Sequence, residues 1–434
     1  MLRGNKALLK ECKIYQMLFK HAKKKHLSFH TPGHKKGKWD ITELSYSDNL
    51  SSPKGCIAQA EKEIAKILGA HKSFIVTDGS TAGVMSMLYA AKTLGVQSVA
   101  VFSGSHKSVF NGCKLTGITP LIYTGREGDE MPKPPTVYEL KRDFAGLLEK
   151  ADAWIITSPD YYGNVAELSA LREYCDQTGK LLLIDGAHGG HLHFDKKLYA
   201  GAYADMWVDG VHKSLPAFTQ GAVVSAKNEK CAKALLEGVN LFRTTSPSYP
   251  IMASVEYAVK YPRNEALERE VRAYVDGCER IYKSADWTKL CVFFGENAFD
   301  VEKELQAKGI YPEFCDGNVV MFYLSPATKR KEFAALKRAL ERLFIKYPYS
   351  PRKSVESVHT PLVYIKNKET EWIKTEEAEG RICAGDCGLF PPCTPLIRAG
   401  ERIEKEKLLL LKKAANVYGI VEGKILVLKE TEGE

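Results

Sequence analysis

Short apolar runs alternate with amphipathic stretches along the chain between residues 72 and 226. The runs at 73–77 and 181–184 are largely apolar, which is typical of strands that are buried on both faces. Between such runs, segments such as 137–150 and 168–178 place apolar residues at helical spacing. Strands that alternate with helices predict βαβ units, and therefore an α/β fold whose mainly parallel sheet carries helices on both faces.

The other elements of this region follow from the same two patterns. A helix is predicted to begin at Ile57 and end at Gly69, and another covers 82–94. The predicted strands are 73–77, 98–102, 121–123, 154–157, 181–184, 206–208 and 222–225.

Beyond residue 250 the alternation stops. The pattern there predicts a long helix at 252–283, strands near 291–294 and 319–324, and helices at 329–346 and 405–417. This mixture is typical of a smaller C-terminal α+β domain. We therefore divide the chain into an N-terminal helix with loops at 1–55, a large domain at 56–285 and a small domain at 286–434.

The composition is that of an ordinary globular protein, with 434 residues of which 44% are hydrophobic and 26% charged. The net charge of +9 is spread over the chain, which is typical of a solvated surface and does not indicate nucleic-acid binding. No run approaches the roughly 20 apolar residues that span a bilayer, and the basic N-terminal helix pattern lacks the apolar core of a signal peptide. The 11 cysteines are scattered, so we predict reduced thiols and a cytoplasmic protein without a membrane partner.

Lys213 follows the predicted strand 206–208 and the turn Asp209-Gly210. The loop at the carboxyl end of a strand is where active sites of α/β folds lie. Partial burial there would disfavour the charged form of the lysine and make its amine a usable nucleophile. An exposed surface lysine is the alternative that this stretch alone leaves open.

A second strand end carries Gly79, Ser80 and Thr81 at the start of a helix. Free N–H groups and the helix dipole favour a phosphate there, although the residues match neither a P-loop nor a G-x-G-x-x-G fingerprint. An ordinary N-cap uses the same residue types. His106 follows the next strand, where its ring could stack on a ligand or have a structural role.

Asp185 directly follows the apolar run 181–184, so its carboxylate is expected to be buried and to need a cationic or N–H partner. His188, His191 and His193 come next and invite comparison with a metal site. Their glycine-rich loop differs from the single helix face of H-E-x-x-H, so we predict no metal.

Together these strand ends contain a phosphate-binding turn, an imidazole, a buried carboxylate and an amine. Pyridoxal 5'-phosphate needs this combination: a lysine for its aldehyde, an acidic partner for its ring nitrogen and a site for its phosphate. The sequence therefore predicts a pyridoxal-phosphate site at one edge of the sheet.

The chain resembles the ornithine/lysine/arginine decarboxylase family, which has the aspartate-aminotransferase-like fold of pyridoxal-phosphate enzymes. The matching segments occur in order and cover most of the chain. They are HTPGHKKG (30–37), DNLSSPKGCIAQAE (48–61), GSTAG (79–83), SHKS (105–108), TSPDYYG (157–163), IDGAHGGHLHF (184–194), HKSLPAFTQ (212–220), TTSPSYPIMAS (244–254) and PPCTPLIRAGE (391–401).

The resemblance implies a role for each matching residue. Lys213 would be the Schiff-base lysine, Asp185 the partner of the pyridinium nitrogen, His106 the residue stacked on the cofactor ring and His188 its neighbour. Those four form the implied catalytic set. The implied cofactor-binding set is Gly79, Ser80, Thr81, His106, Asp185, His188, His212, Lys213 and Ser246. Ser246 resembles a residue that contacts the phosphate of a neighbouring subunit, so a homodimer with shared active sites is also implied.

The chain departs from the family pattern at several positions. Gly210 and Val211 replace a usual Ser-Thr pair, and Cys393-Thr394 interrupts the usual PPG-I-P motif. Arg398 stands where an apolar residue or proline is common, and Asp160 replaces a threonine, where it could meet a cationic side chain. No receiver-like N-terminal wing is found, so the chain resembles the short form of the family.

The resemblance implies decarboxylation of a basic amino acid (arginine, lysine or ornithine) to its amine, a reaction of polyamine biosynthesis. An aminotransferase or another reaction at Cα is the nearest alternative, because Arg398 is the residue type that transaminases use for the substrate carboxylate. A non-catalytic regulatory homologue is a third possibility, motivated by the altered residues at 210–211 and 393–394.

Overall fold

The fold is described from a computed structural model, for residues 5–35, 37–123, 131, 133–348, 368–389, 395–414 and 416–429. The helices are α1 (Lys6–Leu9), α2 (Lys13–Lys23), α3 (Cys56–Leu68), α4 (Gly79–Thr93), α5 (Lys107–Thr116), α6 (Val137–Asp143), α7 (Ala145–Lys150), α8 (Leu168–Thr178), α9 (Val211–Ser214), α10 (Glu229–Phe242), α11 (Tyr249–Val259), α12 (Glu265–Asp276), α13 (Ala298–Ala307), α14 (Arg330–Lys346) and α15 (Lys405–Lys413).

The strands belong to one large sheet and three small ones. They are β1 (Lys72–Val76), β2 (Ser98–Phe102), β3 (Thr119–Tyr123), β4 (Ala153–Thr157), β5 (Leu181–Gly186), β6 (Met206–Asp209), β7 (Ala222–Ala226), β8 (Lys289–Phe293), β9 (Phe314–Cys315), β10 (Val319–Tyr323), β11 (Thr370–Lys374), β12 (Cys387–Leu389), β13 (Pro395–Ile397), β14 (Val417–Tyr418), β15 (Ile420–Val421) and β16 (Lys424–Leu428).

The large sheet has seven strands in the order β1-β7-β6-β5-β4-β2-β3. The five neighbouring strands β3, β2, β4, β5 and β6 run parallel to one another. In contrast, β7 is antiparallel to both of its neighbours, β6 and β1. Every strand predicted for this region is present, and the prediction of a mainly parallel sheet is confirmed. The carboxyl ends of β4, β5 and β6 therefore lie side by side at one edge.

Both faces of this sheet are buried because successive side chains of a strand point to opposite sides. In β5, Leu182 and Ile184 pack in a core with α3, α8 and α11, whereas Leu183 packs with α4 and α10 on the other face. Burying one such side chain contributes about 1.5–3 kcal/mol. The prediction of helices on both faces is confirmed, and it explains why the strands are apolar at consecutive positions.

The prediction of one helix at 252–283 is wrong. Helices α11 and α12 are separated by a short connection that contains Pro262. Proline lacks the N–H that a helix interior needs and disfavours helical backbone at Tyr261 before it. Asn264 then caps α12, because its Oδ1 accepts a hydrogen bond from Leu267 N at 3.2 Å.

Three other predicted helices also differ from the structure. The segment 137–150 is divided into α6 and α7, and the last helix ends at Lys413, so that Val417 belongs to β14. The N-terminal pattern forms two helices, α1 and α2. The buried carboxylate of Glu256 accepts the N–H groups of Lys13 (2.7 Å) and Ile14 (2.9 Å), so α2 begins there.

The C-terminal part contains the three small antiparallel sheets, β8-β10-β9, β11-β16-β15 and β13-β12-β14. Helices α12, α13 and α14 share an apolar core with β8 and β10. This is the α+β character predicted for the region, while the domain boundaries at 55 and 285 stay predictions. Among the described residues, no helix is both long enough and apolar enough to cross a membrane.

Candidate active site

Side chains from several strand ends converge where β4, β5 and β6 finish. Thr157 of β4 pairs with Asp185 of β5, and Asp185 in turn pairs with Val208 of β6. Helix α9 begins directly after β6 and carries His212 and Lys213. Residues that were predicted from separate strand ends therefore meet at one edge of the sheet.

The amine of Lys213 lies against the ring of His188. Its Nζ is 3.0 Å from His188 Nε2, and the lysine is only partly exposed, which rules out the surface-lysine alternative. Burial holds the pKa of His188 well below its ordinary value, and the positive charge of Lys213 lowers it further. His188 is therefore neutral at neutral pH, and its Nε2 accepts a hydrogen bond from the amine.

Asp185 is buried, as predicted, and one of its oxygens accepts the N–H of Ala187 at 3.1 Å. Burial raises the pKa of this carboxyl group, whereas the positive charge of Lys213 opposes that rise. A further positive charge at this position would favour the carboxylate. The ring nitrogen of pyridoxal phosphate carries such a charge when protonated.

Buried polar atoms that lie at or after the ends of strands of this sheet and have no hydrogen-bond partner among the described residues include Ser105 Oγ, Thr157 Oγ1 and His188 Nδ1. Buried polar groups without partners are uncommon in folded proteins. Thr157 pairs with Asp185 and His188 contacts Lys213, so a polar ligand bound beside these residues would supply the missing bonds. The residues present are thus compatible with pyridoxal phosphate.

His106 is the N-cap residue of α5. Its Nδ1 lies 2.8 Å from Ser108 Oγ and accepts the Ser108 N–H at 3.2 Å, so the ring is held in one orientation. Burial lowers the pKa of His106 to about 4, with a further contribution from the charge of Lys213. A neutral imidazole fixed in this way has a structural role as a cap, and its predicted stacking on the cofactor stays a prediction.

The proposed phosphate turn forms the first turn of α4. Gly79 has φ of +77° and donates its N–H to Gln220 O at 2.9 Å. The side chain of the cap residue Asp78 makes no hydrogen bond to the helix, so the simple N-cap alternative is not observed. Ser80 is buried and Thr81 is exposed. The N–H groups at this end of α4 have no intrahelical acceptor, as a phosphate site requires.

Helix α4 also lies unusually close to the sheet. A Cβ on Gly83 would lie 2.6 Å from Val208 Cγ2, so only glycine permits this approach. This contact holds the first turns of α4 against β6, the strand that precedes α9.

His212 and Ser246 were predicted to lie near the phosphate. His212 Nδ1 is 2.9 Å from Gly221 O, and burial lowers the pKa of its ring, so it is held by the backbone. Ser246 is exposed, and its N–H donates to Thr244 Oγ1 at 3.1 Å. Both roles stay predictions.

The unusual Gly210-Val211 pair has a structural explanation. A Cβ on Gly210 would collide with the carbonyl oxygen of Ala187 and would lie 3.1 Å from its carbonyl carbon. Val211 is buried in the core between sheet and helices. The loop after β5 therefore packs directly on the start of α9, where a serine side chain would not fit without movement.

Two other departures from the family pattern have local partners. The carboxylate of Asp160 accepts the N–H groups of Tyr162 (2.9 Å) and Asn164 (2.8 Å) and the amide of Asn164 (2.7 Å), so it stabilises its own loop. The guanidinium of Arg398 lies 5.0 Å from the ring centre of Phe110 in α5. Residues 393 and 394 lie outside the described part of the chain.

The histidines of the loop after β5 have separate partners. His191 Nε2 lies 2.8 Å from Asp286 Oδ1, and His193 Nδ1 lies 2.7 Å from Gly190 O. His188 instead faces Lys213. Within the described ranges, no group of three or more histidine, cysteine, aspartate or glutamate residues could hold a metal ion.

Several residues of the site were missed from the sequence. The ring centre of Tyr161 is 4.8 Å from that of His188, and the ring centre of Tyr323 is 5.9 Å from it. Tyr161 lies in the loop directly after β4, so its position beyond a strand end could have identified it from the sequence. Tyr323 and its neighbour Lys289 come from β10 and β8, and no local pattern relates those strands to β5.

The fold and the edge of the sheet described above place the chain among α/β proteins built on a mainly parallel seven-stranded sheet. A model of the family "Orn/Lys/Arg decarboxylase, major domain" matches residues 38–294, and the chain belongs to this family. The resemblance inferred from the sequence motifs is thereby confirmed.

Individual relatives align over nearly the full chain. An uncharacterized protein of Bacillus subtilis, YaaO, is 29% identical over 95% of this chain and 96% of its own length. The arginine decarboxylase of Bacillus subtilis is 26% identical over 95% of both chains. The solved constitutive lysine decarboxylase of E. coli superimposes with a TM-score of 0.73 at 18% identity, covering 97% of this chain and 82% of that one, which shows a common fold.

Proposed function

We propose that the protein is a pyridoxal-phosphate-dependent decarboxylase that converts arginine, lysine or ornithine to the corresponding amine and CO2. The observation that carries the proposal is the 3.0 Å pair of Lys213 Nζ and His188 Nε2 beside the buried Asp185. Family membership and the arginine decarboxylases of three Bacillus species among its relatives support the substrate class.

The cofactor, when bound, supplies a conjugated ring that accepts the electron pair left on Cα as CO2 departs. Lys213 would bind it covalently, and Asp185 would stabilise the proton on the ring nitrogen. The start of α4 at Gly79, Ser80 and Thr81 would hold its phosphate. Ser105 and Thr157 supply hydroxyl groups whose hydrogen-bonding capacity is unused among the described residues.

Lys213 and His188 would then have different roles in proton delivery. The lysine amine returns a proton to substrate Cα after CO2 has left. The low pKa of His188 makes it a poor proton reservoir, so its Nε2 serves to aim the Lys213 amine rather than to exchange protons with solvent.

An acidic side chain near the site favours a cationic substrate. Tyr161, whose ring contacts His188, donates its hydroxyl to Glu313 Oε1 at 2.8 Å. Glu313 is exposed, so its carboxylate is accessible to a ligand at this end of the site. A carboxylate held here complements the ammonium or guanidinium group of a basic amino acid.

An aminotransferase is the second candidate, and Arg398 is the observation in its favour. Its guanidinium lies over Phe110, one helical turn from His106. Burial lowers the pKa of Arg398, and the carboxylates of Asp386 and Glu401 oppose that effect, so its charge already interacts with acidic groups of its own chain. Decarboxylation also benefits from a carboxylate that is less tightly solvated.

We further propose that two copies share their active sites. Ser246 is exposed on the segment between α10 and α11, where a residue that contacts a neighbouring subunit would need to be. This arrangement, and a location in the cytoplasm, follow from the resemblance to the family.

One experiment separates the candidates. Purified protein is mixed with pyridoxal phosphate and scanned for the visible band of the lysine-bound cofactor, with Lys213→Ala and the exposed-lysine variant Lys233→Ala as a matched pair. The protein is then incubated with arginine, lysine, ornithine and glutamate while CO2, amine and keto acid are measured. We expect the band in all but Lys213→Ala, and CO2 with amine from a basic substrate. Keto acid without CO2 would instead establish the aminotransferase, and failure to take up the cofactor would refute both.

A further inference from the structure

A second buried lysine lies close to the site. Lys289, the first residue of β8, has a fully buried side chain, and its Nζ has no hydrogen-bond partner among the described residues. Burying an ammonium group without hydrogen bonds is costly. Other interactions must therefore compensate for its burial.

Two neighbours provide this compensation. Lys289 Nζ lies 3.2 Å from the ring centre of Tyr323, its cross-strand neighbour on β10, which is a close cation–π contact. Its other neighbour is Asp286, whose Oδ2 is 3.8 Å away. Burial lowers the pKa of Lys289 to about 8, so the amine is still mostly charged at neutral pH.

Asp286 is itself firmly held. Its Oδ1 lies 2.8 Å from His191 Nε2 and accepts the Thr288 N–H (2.9 Å) and hydroxyl (2.7 Å). Although burial opposes ionisation, the neighbouring His191 and Lys289 and the hydrogen bond from Thr288 hold the pKa of Asp286 below its usual range. The ammonium group of Lys289 therefore lies beside a carboxylate that is fixed in position and negatively charged.

Tyr323 connects this cluster to the candidate active site. Its hydroxyl donates to the main-chain oxygen of His188 at 3.2 Å, and the two rings are stacked 5.9 Å apart at 25°. The charge of Lys289 also opposes protonation of His188, directly after that of Lys213 in strength. The buried amine of Lys289 thereby influences both the position and the protonation of His188, the residue that contacts the amine of Lys213.

We propose that Lys289 is a positioning residue: its buried ammonium group, packed on the ring of Tyr323, holds Tyr323 against His188, so that the orientation and the electrostatic environment of the His188 ring both depend on Lys289. The proposal deepens the proposed function by adding a residue to the same site. The contacts among Lys289, Tyr323 and His188 are made within the chain, so their effect on the His188 ring can be tested in protein without cofactor.

The titratable groups that face His188 come from three places in the fold. Lys213 and His212 belong to α9, His106 precedes α5, and Lys289 belongs to β8. The ring is also covered by two tyrosines, one after β4 and one on β10. Among these, Lys289 is the charged group that lies outside the proposed catalytic set, so it can be substituted while every residue of that set is retained.

The test is a titration of the histidine rings by NMR, with cofactor-free protein labelled at histidine Cε1 and the His188 signal assigned by His188→Gln. In the unaltered protein we expect no protonation of His188 near neutral pH. Lys289→Met should raise the proton affinity of this ring about tenfold. Lys289→Arg should restore the original behaviour, and the exposed control Lys233→Met should leave it unchanged.

The outcomes are separable from those of the proposed function. If Lys289→Met does not fold, Lys289→Gln removes the same charge and makes the same prediction. A folded neutral variant in which the His188 signal titrates as in the unaltered protein would overturn the proposal. Because the titration needs no cofactor, a protein that takes up no pyridoxal phosphate would refute the proposed function while this measurement still decides the role of Lys289.

Discussion

Gly210 lies so close to Ala187 that a Cβ on the glycine would collide with the alanine carbonyl oxygen. The contact joins the loop after β5, which carries His188, to the start of α9, which carries Lys213. The spacing of the two candidate catalytic side chains therefore depends on a backbone approach that only glycine allows.

Gly210→Ala should destabilise the protein by about 1–3 kcal/mol, because the added methyl group forces the two backbones apart. It should also weaken uptake of pyridoxal phosphate. Thermal unfolding and cofactor titration measure the two effects. Gly146→Ala is the matched control: a Cβ there meets no atom within 4 Å, and alanine favours its helix α7. Equal stability of the two variants would contradict the prediction.

His188→Ala removes the acceptor that lies 3.0 Å from Lys213 Nζ. We expect kcat for the basic substrate to fall by about tenfold to hundredfold, because the amine loses its orientation for proton transfer. KM should change less. Steady-state kinetics beside the exposed variant His71→Gln provide the comparison, and a wild-type kcat in His188→Ala would show that Lys213 needs no such partner.

Asp209 predicts a pH dependence of stability. Burial raises its pKa to about 7, while Tyr199 and Trp207 donate to Oδ2 at 2.7 and 3.1 Å. The folded state therefore binds a proton that the unfolded chain releases near its ordinary value of 3.8. The resulting stability is complete below that pH and is lost as the pH rises through 7.

Asp209→Asn stays uncharged throughout this range, so its stability relative to the unaltered protein should improve steadily between pH 4 and 7. Urea unfolding of both proteins at several pH values gives the difference, in which the contributions of other groups cancel. A difference that does not vary with pH would show that Asp209 ionises normally in the folded protein.

Glu313→Gln tests the acidic group near the site. Because Glu313 is exposed, its attraction for a cationic substrate is moderate, and we expect KM to rise roughly threefold to tenfold with kcat little changed. The increase should diminish at high salt. The exposed residue Glu279 provides the control Glu279→Gln. An unchanged KM would place the recognition of the substrate side chain elsewhere.

Mixed dimers test whether the sites are shared. Lys213→Ala and Ser246→Asp should each inactivate the protein, the second because a carboxylate repels the cofactor phosphate. After the two are mixed and reassembled, half of the dimers carry one intact site of two, so activity should recover to about a quarter of the original. No recovery, with mixed dimers present, would show that Ser246 acts within its own chain.

The seven strands of the large sheet were predictable because buried strands leave a continuous apolar run that can be recognised locally. The chemistry at their carboxyl ends was predictable for the same reason. Asp185 and Lys213 follow such runs within a few residues, so their meeting at one edge follows from the parallel order of the strands. The break at Pro262 was also visible in the sequence, since proline within a helical pattern indicates an end.

Other relationships depend on residues that are distant in sequence. His191 and Asp286 are 95 positions apart, and the link from Lys289 through Tyr323 to His188 joins the C-terminal part to the loop after β5. Burial and charge act through space, and the local pattern around Lys289 is that of any strand that begins with a lysine.

The sequence by itself therefore determined the sheet, the set of groups at its edge and the family. Only the tertiary structure decided which imidazole meets the Lys213 amine, why residue 210 is a glycine, and that a second buried amine lies behind His188. The physical reason is that hydrophobic periodicity is a local property of the chain, whereas close packing and the electrostatics of buried charges are properties of the folded whole.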